Sequence, residues 1–129
     1  MRDFVLGTAV IAALASPAIA RDPIEGLWKH GPMVVEIAPC GDDFCGTVVK
    51  ASPTQQEKAA RGSGTRLIGS RLITGIVPTG PGTYRGRVFA ADRNVYASGT
   101  VHQLSPNELE VKGCVLMVIC KSRTYQRVR

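Results

Sequence analysis

The sequence predicts an all-β fold, a small eight-stranded antiparallel barrel of up-and-down topology, and three observations carry the prediction. The chain of 129 residues holds 14 glycines and 8 prolines, a balance that disfavours long helices and punctuates the chain with turns. Short apolar or alternating runs recur between those turns in the manner of consecutive hairpins. Eight such strands left flat would expose two sheet edges, and closing them into a barrel removes both.

The elements follow in order. Residues 1–20 form a leader: Arg2 precedes an apolar run from residue 4 to residue 15, Ser16-Pro17 breaks it, and Ala18-Ile19-Ala20 has the small-x-small pattern of a signal peptidase site. The run is short of the roughly 20 apolar residues that span a bilayer. Cleavage near Ala20 and export to the periplasm or beyond are therefore expected, with residues 21–129 as a single soluble domain and no transmembrane span after cleavage. The first strand covers 24–30 with Gly26-Leu27-Trp28, and Gly31-Pro32 turns it into a second at 33–38 with Met33, Val35 and Ile37 on one face. A third covers 45–50. Residues 52–64 are a polar excursion, whose segment 55–61 allows at most two helical turns.

A fourth strand is expected over 67–77, interrupted at Gly69, before the loop signal Pro78-Thr79-Gly80-Pro81-Gly82. Four more follow at 84–90, 95–104, 109–114 and 121–128. A transmembrane barrel is disfavoured, because its strands need an apolar outer band and Tyr84-Arg85-Gly86-Arg87 places arginines on alternate positions.

Four cysteines fall into two close pairs, Cys40 with Cys45 and Cys114 with Cys120. Each pair brackets a turn-sized loop, so local pairing is the simplest of the three connectivities. Two such disulfides would each contribute about 2 kcal/mol in an oxidising compartment. A four-thiolate zinc site is the rival, but its ligands favour tighter C-x-x-C spacing, and neither pair is the C-x-x-C of thiol redox catalysts. A structural role is the expectation.

The net charge of +6 draws anions. Nucleic acid is not the expected partner, since an exported chain meets little of it and no aromatic-basic recognition motif is present. Catalysis needs convergent groups, and none stands out: His30 and His102 are isolated, Asp42-Asp43 suits a tight turn, and Gly62, Gly64 and Gly69 lack the strand-loop-helix context of a phosphate loop. No catalytic residue, metal ligand or cofactor is assigned.

A set of short motifs is distinctive: Gly26-Leu27-Trp28, Val34-Val35-Glu36-Ile37 before Cys40-Gly41, Cys45-Gly46, Leu67-Ile68-Gly69, Gly113-Cys114-Val115-Leu116, and the run from Cys120-Lys121-Ser122 to Arg127-Val128. Together they resemble the domain of unknown function (DUF) 2147 family of exported bacterial proteins, over nearly all of the chain beyond the leader. The sequence departs from that pattern at Tyr125, where a tryptophan is usual, at Ala90–Asn94, which lacks the usual Asp-Pro and glycine, and in the unremarkable 52–64 loop. The resemblance implies a lipocalin-like (calycin) barrel in which Trp28 and Arg127 pair to close one end. A guanidinium stacked on an indole contributes about 0.5 to 2 kcal/mol.

Two functions fit. An eight-stranded barrel either fills its interior with side chains or holds one small ligand. With Val95, Ala97, Gly99 and Val101 facing inward beside Gly86, the wall would be made of small residues, leaving room for a hydrophobic or anionic amphiphile. Tyr84, Arg87, Tyr96 and Tyr125 would then supply the polar groups. This non-catalytic binding or carrier barrel is the leading reading. The alternative is a filled barrel that binds a protein or envelope polymer through its basic surface or through residues 115–119, five consecutive apolar residues in a cysteine-bracketed turn; such a run is expected to fold back and cap the barrel core, and otherwise forms an apolar lip for a ligand or partner.

Overall fold

A computed structural model describes residues 23–116 and 118–128. The leader, its cleavage point and Met117 lie outside the described residues. The eight expected strands are present: β1 (Gly26–His30), β2 (Met33–Cys40), β3 (Asp43–Lys50), β4 (Arg71–Gly80), β5 (Thr83–Ala90), β6 (Val95–Ser105), β7 (Glu108–Val115) and β8 (Ile119–Arg127), with one helix, α1 (Pro53–Ser63), between β3 and β4. They form a closed barrel in sequence order, each strand antiparallel to the next, and β8 returns to β1 through Trp28 opposite Arg127 and Lys29 opposite Gln126. Both disulfides join local pairs, Cys40 to Cys45 and Cys114 to Cys120.

Most strand ends shift by one or two residues, and two elements differ more. The fourth strand begins at Arg71 rather than Leu67 and runs on through Pro78 to Gly80, because Gly69 turns the chain at φ 92° and Leu67 is spent elsewhere, buried under the helix. The helix has eleven residues rather than two turns. Ser52 and Gln55 form a reciprocal capping box, Pro53 fits the first turn, and Gly64 ends the helix at φ 70°.

An even number of strands places alternate connections at opposite ends of the barrel. The β1–β2 turn, α1, the β5–β6 turn and the β7–β8 turn share one end, the helix end. The β2–β3, β4–β5 and β6–β7 turns share the other, with the segment that enters β1. Two buried clusters match this division. Trp28, Ile24, Ile37, Ile76, Tyr84, Val101 and Leu109 fill the entry half, and Val35, Val48, Ala59, Leu67 and Ala91 seal the helix end.

Each end is closed by polar bonds as well as packing. At the entry end Arg127 lies over the Trp28 ring at 4.3 Å, and its guanidinium donates to the carbonyls of Pro106, Glu25 and Pro23. The Trp28 indole donates to the Ile24 carbonyl at 2.9 Å. At the helix end Ser63 Oγ donates to the Ala91 carbonyl at 2.6 Å, tying α1 to the β5–β6 turn.

Candidate functional site

The interior is the first place to look for a site in such a barrel. The small-residue wall faces inward as expected: along β6 Val95, Ala97, Gly99 and Val101 alternate with exposed Tyr96, Ser98, Thr100 and His102. Gly86 lies opposite Gly99, which in turn lies opposite Gly113. The space they leave is occupied. A Cβ on Gly99 would stand 2.6 Å from Val88 Cγ2, and one on Gly86 would meet the Thr74 carbonyl at 3.1 Å and Ile76 at 3.4 Å. A bulge at Gly75, φ 60°, lets β4 aim both Ile73 and Ile76 into the core although they are three residues apart. These glycines accommodate branched side chains from neighbouring strands.

Between the two clusters lies a void of about 10 Å³ bounded by Trp28, Val35, Ile37, Ile73, Leu109, Val111 and Tyr125. One water needs roughly that much, and a ligand pocket needs about 300 Å³ or more.

The four polar residues expected to line a pocket divide between the two faces. Tyr84 and Tyr125 point inward. Tyr84 is buried in the core, and burial raises the Tyr125 phenol above its ordinary pKa of 10.0 against an opposing effect of Arg123. Arg87 and Tyr96 point outward, with the guanidinium of Arg87 at 4.2 Å over the Tyr96 ring and Phe89 beside it at 4.6 Å. The structure thus forms an inner and an outer group, and not one constellation.

His30 and His102 stand apart, on β1 and β6. His30 Nδ1 lies 2.9 Å from the Thr124 carbonyl and Nε2 lies 3.4 Å from Arg123 Nη1. The neutral tautomer with its proton on Nδ1 satisfies both bonds: the ring donates to the carbonyl and accepts from the arginine. Among the described residues no group of three His, Cys, Asp or Glu side chains could hold a metal ion. Asp42 lies in the β2–β3 turn, where Gly41 has φ 74°.

A depression at the entry end is bordered by Pro23, Gln103, Ser105, Pro106, Asn107 and Arg127. Its cation is the one already committed to three carbonyls and the indole.

The exposed apolar groups lie elsewhere, on the β7–β8 turn. Leu116 and Val118 are each 81% exposed and Ile119 is 64% exposed, while Cys114–Cys120 closes the loop directly beneath them. Leu116 has φ 54°, a left-handed conformation uncommon for a branched aliphatic residue. Leu116, Val118 and Ile119 do not fold back as a cap, because the helix end already has α1 and Leu67 as its seal. The apolar run was legible as an oddity, and the structure exposes these three of its residues while Val115 is half-buried.

Comparison with known proteins follows this geometry. A family described as "Uncharacterized protein conserved in bacteria (DUF2147)" matches residues 26–127. No curated protein matches. Among solved structures, protein HP1028 from the human pathogen Helicobacter pylori, described as belonging to the lipocalin family, aligns with a TM-score of 0.62 at 14% identity, covering 81% of this chain and 82% of that one. At that identity the likeness is one of fold.

Proposed function

The chain belongs to the bacterial DUF2147 family and has a lipocalin-like barrel, and we propose that this barrel is a non-catalytic interaction module that works with its outside, in the periplasm or beyond. The observation that carries the reading is the filled interior, where the void beside Trp28 and Tyr125 measures about 10 Å³, more than an order of magnitude short of a ligand pocket. The geometry favours this over the carrier reading, because the small wall residues are packed and the polar side chains do not converge. The signal-like leader supports export, and two disulfides in a chain this small suit an oxidising compartment. The contact surface is the β7–β8 turn, the largest concentration of exposed aliphatic side chains among the described residues.

The test is titration with an anilinonaphthalene sulfonate probe. The expected result is no saturable one-to-one complex, with any residual fluorescence lost in the double variant Leu116→Ser/Val118→Ser. A saturable one-to-one complex that this variant retains would place the ligand inside the barrel and overturn the reading.

A further inference from the structure

The two ends of the barrel differ in charge. Lys50 and Arg71, the last residue of β3 and the first of β4, stand at the helix end with Arg66 in the loop between them, Arg93 in the β5–β6 turn, and Lys112 and Lys121 on β7 and β8. All six are exposed. The acids at this end are Glu57, paired with Arg61 at 3.2 Å, and Asp92, 4.0 Å from Arg93. The entry end carries Glu25, Asp42, Asp43 and Glu108, with Arg127 tied to carbonyls among them. Among the described residues the helix end is thus the more basic of the two, and it is also the end that bears the apolar turn.

The register places the two features together. On the outward face Arg87, Ser98, Cys114 and Cys120 form one row across β5 to β8. The next row toward the helix end holds Phe89 and Tyr96, and on the far side of the disulfide the chain enters the turn with Leu116 and Val118. Tyr96 is 56% exposed and carries Arg87 on its face. Lys112 lies four residues before Leu116 on the outward face, and Lys121, opposite Gly113, lies two residues after Ile119 on the other face, so the two lysines flank the turn from either side of the sheet. An aliphatic point, an amphipathic ring beside it and a mainly basic surround result.

We propose that this end docks on an anionic lipid surface, with Leu116, Val118 and Ile119 inserted at the headgroup boundary and Lys112 and Lys121 against the headgroups. The inference rests on the interaction-module reading and names its partner. Interfacial segments bury apolar side chains about 5 to 10 Å deep and gain from anionic lipid. Each lysine near such a surface adds about 1 kcal/mol, and aromatic side chains with a polar tip favour the same depth. A stable protein interface needs about 1,200 Å² or more of buried surface with a largely uncharged centre, which a single turn flanked by cations does not offer. The disulfide holds the turn in one shape, so little conformational freedom is lost on insertion.

Cosedimentation with vesicles tests the proposal, comparing pure phosphatidylcholine with a phosphatidylcholine–phosphatidylglycerol mixture. The protein is expected to partition at least about tenfold more strongly onto the mixture, and high salt should remove the difference. Lys112→Gln and Lys121→Gln should each reduce partitioning about fivefold, and Leu116→Ser/Val118→Ser at least about tenfold. Leu104→Ser, at an exposed site on the opposite end, should leave it unchanged.

Absence of binding to the anionic vesicles, equal binding to both vesicle types, or equal loss in the Leu104 variant would overturn the lipid assignment. None of these outcomes bears on the interior, which the probe titration reads separately. Circular dichroism of each variant checks that the barrel is intact.

Discussion

Trp28 and Arg127 stand opposite each other in the seam that closes the barrel, with the guanidinium carbon 4.3 Å from the indole centroid. The seam has only two register pairs, so this contact and the Glu25 and Pro23 carbonyls bound by the same guanidinium join the Val128 N–H to Leu27 carbonyl bond and the His30–Thr124 contact in holding the first and last strands together. Arg127→Ala should therefore destabilise by about 2 to 4 kcal/mol, from lost stacking and unpaired carbonyls. Arg127→Lys should recover less than half of that, since an ammonium does not reproduce the planar fork. Urea unfolding midpoints decide, and a lysine variant as stable as the parent would refute the argument.

Gly99 marks the tightest approach in the interior, with Val88 where its side chain would stand. Gly99→Ala is expected to cost about 1 to 3 kcal/mol through overpacking. Adding Val88→Ala should return part of the loss. Were the interior open, Gly99→Ala would be neutral in thermal unfolding.

Gly62 sits in the last turn of α1 against the backbone of Asp92, where an added Cβ would run into that carbonyl. Alanine gains about 1 kcal/mol over glycine inside a helix. Here the clash should reverse the sign, giving a net loss of about 1 to 3 kcal/mol, and hydrogen exchange over residues 53–63 should accelerate. Slower exchange in Gly62→Ala would show that the helix does not rest on that turn.

Tyr125 is a titrating group that burial perturbs, its folded pKa being raised above 10.0 by desolvation, while Arg123 pulls the other way. In the unfolded chain the phenol ionises near pH 10, while in the folded chain it holds its proton to higher pH. The contribution is fully present below pH 10 and is lost as the pH rises from there through the folded pKa. Unfolding free energy should thus fall more steeply above pH 10 in the parent than in Tyr125→Phe. Arg123→Gln should raise the Tyr125 pKa further, which ultraviolet titration of tyrosinate will read.

The strand order was legible because hairpin turns announce themselves: Gly31-Pro32, Pro81-Gly82 and Pro106-Asn107 all separate strands in the structure. The fourth strand was misplaced because Leu67 and Ile68 are apolar enough to read as strand, whereas Leu67 serves the seal under α1. The capping box at Ser52 and Gln55 was a local signal for the longer helix. The pocket expectation contained its own contradiction. Tyr84 and Arg87 are an odd number of residues apart on one strand, so they point to opposite faces. The filling of the glycine wall was not legible, because Val88, Ile73 and Ile76 reach it from neighbouring strands and only the register reveals their meeting.

Eight is an even number, and the segment preceding β1 lies at the same end as the last residues of β8. A surface that met the β7–β8 turn would therefore lie about the height of the barrel, roughly 25 Å for tilted strands, from both of these segments. The exposed aliphatic turn and the Trp28–Arg127 seam thus face opposite ways along the barrel axis.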